Sequence, residues 1–169
     1  MTTNKTNLIL RSYDPLDISG GDIDTSFPRV KEGIYDLVIR NAESKAKKDS
    51  GATIVDGKVP YENFRIECQL CLTKDATGVD GKPIYKDFPI TFRINGMSEK
   101  RDGAALQKDM GVLIKSAFGL EGAKTIKANE VWNNPALLNG KIVRGKVVIQ
   151  PEKEGYPEKN DVRLQIPSA

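Results

Sequence analysis

From Phe64 to Thr73 the chain alternates, with Phe64, Ile66, Cys68, Leu70 and Leu72 on one parity and Arg65, Glu67, Gln69, Cys71 and Thr73 on the other. A period of two is the mark of a strand with one face in the core. The alternation returns downstream, where Phe88, Ile90, Phe92 and Ile94 oppose Asp87, Pro89, Thr91 and Arg93, and turn residues fill Ala76 to Gly81 between the runs. The two predict a hairpin. Pro89 cannot donate to a ladder, which puts this strand at an edge or a bulge. Upstream, Ile34 to Arg40 is β-branched, aromatic and apolar on both parities, predicting a first strand buried on both sides. A loop from about Asn41 to Pro60 follows, punctuated by Ser50-Gly51 and Asp56-Gly57; loops of this length are often functional.

The period then becomes helical. Leu106, Met110, Leu113, Ile114, Ala117 and Phe118 share one stripe, with Asp102 placed to cap its start and Gly119 its end. A short helical turn is expected at Asn134 to Leu138, with Asn134 as cap, Pro135 in the first turn and Gly140 beyond. A second hairpin is expected from Lys141–Ile149 and Asp161–Ile166, and Trp132 reads as a lid on the barrel or helix. Residues 1–32 mix Asp14, Asp17, Asp22 and Asp24 with glycine and proline and keep no period. They predict an extended arm preceding one domain over 33–169.

Three strands, a helix and two strands is the element order of the OB-fold, a mainly β, five-stranded Greek-key barrel with its helix between strands 3 and 4. Closure hides the edges, and the helix covers the end that would expose Phe64, Phe88 and Phe92. A small α+β sheet with the helix on one face has the same order.

Composition narrows the chemistry. Of 169 residues, 38% are hydrophobic and 29% charged, as in a folded globular domain, and the net charge of +3 only hints at a polyanionic partner. No apolar run approaches the roughly 18 residues of a membrane span, and the polar start from Met1 to Asn7 lacks a signal peptide's apolar stretch, so a cytoplasmic protein with no membrane partner is expected. The absence of histidine excludes Ser-His-Asp, Cys-His and histidine-metal chemistry within the chain. Cys68 and Cys71 have C-x-x-C spacing, but on a strand they point to opposite faces, and zinc needs ligands that this chain does not have. No cofactor is expected.

The segments Glu32–Glu43, Ala117-Phe-Gly-Leu120, Leu138-Asn-Gly-Lys-Ile-Val-Arg-Gly-Lys-Val147 and Glu154-Gly-Tyr-Pro-Glu-Lys-Asn160, with the hairpin between them, resemble phage-encoded OB-type single-stranded-DNA-binding proteins over about residues 30 to 167. The resemblance implies binding of single-stranded DNA in phage replication, recombination or repair, with no catalysis. Other replication or recombination proteins and a second copy of the chain are the further partners to consider. Where bacterial-type members end in an acidic partner-recruiting tail, this chain ends Gln165-Ile-Pro-Ser-Ala169, which puts tail recruitment in doubt.

Sequence-tolerant binding of a single strand needs cations for phosphates and aromatic faces for bases. On an OB barrel these belong on the outer face of strands 2 and 3 and on the loops joining strands 1–2 and 4–5. The candidates are Arg40 at the end of strand 1; Lys45, Lys47 and Lys48 in the first loop; Tyr61, Arg65, Tyr85 and Arg93 on the outward parity; Arg144 and Lys146 on strand 4; and Tyr156, with Lys153 and Lys159, in the second loop. Each also reads as ordinary surface, and Tyr35 shares the core parity of Leu37 and Ile39. Glu152, Glu154, Glu158 and Asp161 argue against a simple phosphate clamp in the second loop. If bases dominate, removing Tyr61 and Tyr85 should cost more than removing Lys47 and Lys48. Competing readings are a Mg²⁺-dependent nuclease using Glu43-Ser-Lys45 with Asp24 or Asp36, a small virion or adaptor protein whose arm joins a neighbour, and a protein-binding OB domain.

Overall fold

The computed structural model describes residues 28–168. Five long strands form one antiparallel sheet: β1 (Gly33–Ala46), β2 (Phe64–Leu72), β5 (Pro89–Asn95), β6 (Ile142–Gln150) and β7 (Lys159–Leu164). A small hairpin, β3 (Ala76–Thr77) with β4 (Pro83–Ile84), interrupts the expected β2–β5 connection. The order across the large sheet is β5-β2-β1-β6-β7, so β1 is shared by two hairpins, and Cα atoms of the outer strands β5 and β7 approach within 8 Å. Pro89 lies on an outer strand that is laddered only to β2, as its missing N–H requires.

The alternation of β2 is realised directly: Phe64, Ile66, Cys68, Leu70 and Leu72 are buried, and Arg65, Glu67 and Gln69 stand on the other face. β1 departs from expectation twice. It is buried on one face only, through Leu37 and Ile39, while Ile34 is 56% exposed, because among the described residues no second layer covers the outer surface there. It also runs on to Ala46 where a loop was expected. A bulge makes this possible: Asn41 adopts φ 53°, and between the pairs Arg40–Gln69 and Glu43–Glu67 the first strand has one residue more than the second. Ala42 turns inward and its N–H donates to Asn139 Oδ1 at 2.9 Å.

Helix α1 (Gly103–Ala123) starts where expected, with the Ala105 N–H donating to Asp102 Oδ1 at 2.9 Å, and packs against β5, β6 and β7. Leu106, Met110, Leu113 and Ile114 carry its buried stripe. Gly119, at φ 77°, breaks the regular helix as expected, and a last turn continues to Ala123. After α2 (Ala128–Asn133), a 3₁₀ turn spans Pro135–Leu138. Asn134 holds the position before that turn without a side-chain cap, unlike the expectation, while Gly140 takes φ 84° beyond it.

Trp132 is 2% exposed, part of the core, and also ties down a loop. Its indole N–H donates to the Val59 and Pro60 carbonyls at 3.1 and 3.3 Å, and the Val59 N–H donates to Asn133 Oδ1 at 2.8 Å. The β1–β2 loop is thereby rooted on α2. Residues 1–27 of the expected arm lie outside the described residues, but residues 28–32 are seated in the domain: Val30 is fully buried, and Arg29 is ion-paired with Glu158. Among the described residues no helix is long and apolar enough to cross a membrane.

Candidate nucleic-acid interface

The register places Lys45, Arg65 and Asn95 in one row across the outer face of β1, β2 and β5, and Glu43, Glu67 and Arg93 in the next. The bulge at Asn41 is what puts Lys45 there. Arg40 and Lys45 differ by five positions, so an unbroken strand would send them to opposite faces. With one residue inserted, both point outward.

Glu67 is the centre of this patch. Lys45 Nζ and Arg93 Nε bind its carboxylate, the latter at 2.5 Å, and Arg65 Nη2 lies 3.4 Å away. Lys45 also reaches Glu43 at 3.4 Å. Partial burial by itself would raise the Glu67 carboxyl, but the hydrogen bonds from Lys45 and Arg93 outweigh it and hold the group at about 2. The same contact raises the Lys45 ammonium. Three cations around two carboxylates leave the patch net positive.

The other candidates are spread more widely. Arg40 pairs with Asp87 at 3.2 Å, and Arg144 pairs with Asp36 at 3.4 Å, both well exposed, so either cation can exchange its partner for a phosphate at a cost of about 1 kcal/mol or less. Lys146 is exposed on β6 opposite Ile34. Lys47 and Lys48 are exposed just past β1, at the end where Ala46 meets Phe64.

The tyrosines are not on the strand face. Asn63, at φ 61°, breaks the parity between Tyr61 and Arg65. Tyr61 therefore turns toward Trp132, with ring centroids 6.0 Å apart, and remains 49% exposed. Tyr85 precedes β5 at the opposite end of the sheet and is 65% exposed. Tyr156 is 71% exposed at the β6–β7 turn; backbone bonds between Lys153 and Tyr156 close that turn, so the ring itself is free. Outward positions of β2 and β5 carry Arg65, Glu67, Gln69, Thr91, Arg93 and Asn95 instead. The face is cationic and amide-rich, with aromatic rings at both ends.

Glu67 is the member that sequence reasoning missed. Its outward parity was legible, but its partners come from two other strands, and only the register brings them together. The cysteines sit as the spacing requires, Cys68 opposite Phe92 on the core face and Cys71 between Val38 and Pro89 on the outer one. Both are buried and free, and burial pushes the Cys68 thiol up to about 12 and raises Cys71 as well. In Glu43-Ser-Lys45, the lysine is engaged by Glu67 and Glu43, while Asp36 lies seven residues up the same strand, about 23 Å away at the usual rise. Asp24 lies outside the described residues. No protein-family model, curated protein or solved structure matches this chain.

Proposed function

We propose that this protein binds single-stranded DNA, without catalysis and without strong sequence preference, on an OB barrel formed by β1, β2, β5, β6 and β7. The sheet order, the sharing of β1 between two hairpins, the approach of β5 to β7 and the position of α1 in the chain between β5 and β6 all support that barrel. The observation that carries the function is the patch of Lys45, Arg65 and Arg93 on the outer face of β1, β2 and β5. Phosphates engage that patch and the exchangeable Arg40 and Arg144, and bases stack at the ends of the face. Phage replication, recombination or repair is the setting that the sequence resemblance implies.

Fluorescence anisotropy with labelled oligo-dT, matching duplex and RNA over a salt series tests the reading. Tight binding of the single strand with a log–log salt slope of about −0.7 per neutralised phosphate, and weak duplex binding, is the expected result. Absence of binding at low salt would overturn it. In that event the adaptor reading takes first place, supported by two exposed apolar residues on the outer face, Ile142 (60% exposed) paired with Val38 and Ile34 (56% exposed) beyond the Asp36–Arg144 pair.

A further inference from the structure

Resting on the single-strand reading, we infer that Glu67 is a positioning residue for nucleic acid, holding Lys45, Arg65 and Arg93 as one preformed subsite for a backbone phosphodiester. An acidic residue in a DNA-binding patch has two opposite physical meanings. A carboxylate lying above the cations competes with phosphate, and its removal strengthens binding. A carboxylate lying beneath them orders them, and its removal weakens binding even though the protein becomes more positive.

The exposures decide between the two. The Glu67 side chain is 13% exposed, against 31% for Arg65, 43% for Lys45 and 47% for Arg93. The anion is the floor of the patch and the cations are its rim. The cations also keep donors for a second acceptor. Glu67 takes Nε of Arg93 and Nη2 of Arg65, whereas a guanidinium carries five N–H donors. Nε of Arg65 is buried without any partner among the described residues, so the donors open to a phosphate are the remaining N–H groups at the rim. Long cationic side chains lose much rotamer freedom when a ligand fixes them; here Glu67 has fixed them before the ligand arrives. A phosphate oxygen reaching the rim then meets three cations already gathered around one point.

The test uses the full chain, labelled oligo-dT and a salt series, with each variant's fold checked by circular dichroism. Glu67→Gln removes one negative charge and is expected to bind about tenfold more weakly, as lost preorganisation predicts. Glu130→Gln, the same charge change at an exposed position of α2, leaves affinity unchanged or slightly raises it. Arg93→Gln costs less affinity in the Glu67→Gln background than in the wild type, because the subsite is already disordered. Glu67→Asp retains the charge but is one methylene too short, so it also binds more weakly, and this variant decides the matter if Glu67→Gln does not fold. Binding by Glu67→Gln as tight as or tighter than wild type, or Glu67→Asp equal to wild type, overturns the inference while leaving the DNA reading in place. A wild-type protein that binds no oligonucleotide removes both.

Discussion

Asn160 holds both backbone polar groups of Val30: the Val30 N–H donates to Asn160 Oδ1 at 2.7 Å, and Asn160 Nδ2 donates to the Val30 carbonyl at 2.9 Å. One side-chain amide thus takes the place of a neighbouring strand's backbone, and it ties the segment before β1 to the start of β7, 130 residues later. Val30 is fully buried, so neither group has water to turn to. Asn160→Ala is expected to cost about 2–3 kcal/mol of unfolding free energy in urea titration, most of it from the stranded Val30 groups. A loss below ~0.5 kcal/mol would show that water replaces the amide.

Gly96 lies where the chain turns out of β5 beneath the β1–β2 loop. A Cβ there would stand 2.7 Å from the Phe64 carbonyl oxygen and closer still to that of Tyr61, both backbone atoms that cannot swing aside. Gly96→Ala should lose upward of roughly 3 kcal/mol or fail to fold, in the range of strained overpacking. The same change at Gly111, where a Cβ meets nothing within 4 Å, should be stabilising by about 0.5–1 kcal/mol, since glycine costs that much within a helix. Thermal melts of the two variants should move in opposite directions.

Trp132→Phe keeps an apolar ring in the core and removes the indole N–H that holds Val59 and Pro60. A loss of about 1–2 kcal/mol is expected. The more telling effect is local, with faster proteolysis within residues 47–58 than in the wild type and unchanged cleavage elsewhere. Uniformly faster cleavage would mean that the whole domain had loosened.

Stability should decline at both pH extremes for separate reasons. The Glu67 carboxyl, held at about 2 against an unfolded value of about 4.3, contributes stability that is full above the unfolded value and lost as pH falls toward 2. Glu67→Gln should flatten that acid limb. The Cys68 thiol, pushed up to about 12 against about 8.5 unfolded, stays protonated in the native protein while the unfolded chain ionises, so stability falls as pH rises above roughly 8.5. Both thiols should react with an alkylating reagent in denaturant and resist it in the native state at pH 8.

Stacking should be carried by Tyr85 and Tyr156 more than by Tyr61, whose ring turns toward Trp132. Alanine at Tyr85 and Tyr156 is expected to weaken oligo-dT binding by about 1–3 kcal/mol for each base unstacked, with the salt slope unchanged. Lys47→Gln with Lys48→Gln should instead flatten the slope. This replaces the expectation that paired Tyr61 with Tyr85, because the Tyr61 ring leans toward Trp132 and is the least exposed of the three. A slope that drops in the tyrosine variant would mean that the rings only position phosphates.

The missing N–H of Pro89 determined its edge position, and periodicity determined the inward set of β2, the stripe of α1 and the opposite facing of Cys68 and Cys71. These last three follow from the two-residue period of a strand and the 3.6-residue period of a helix, which any stretch of sequence displays by itself. The bulge at Asn41 was not legible, since one inserted residue shows only against the partner strand, and with it went the outward placement of Lys45. The burial of Val30 was equally hidden, because the amide that satisfies its backbone lies at the far end of the chain. Glu67 stood in plain view as an outward glutamate, but its role depends on Lys45 and Arg93 from neighbouring strands. Register is a property of pairs of strands held by long-range packing, and no single segment encodes it.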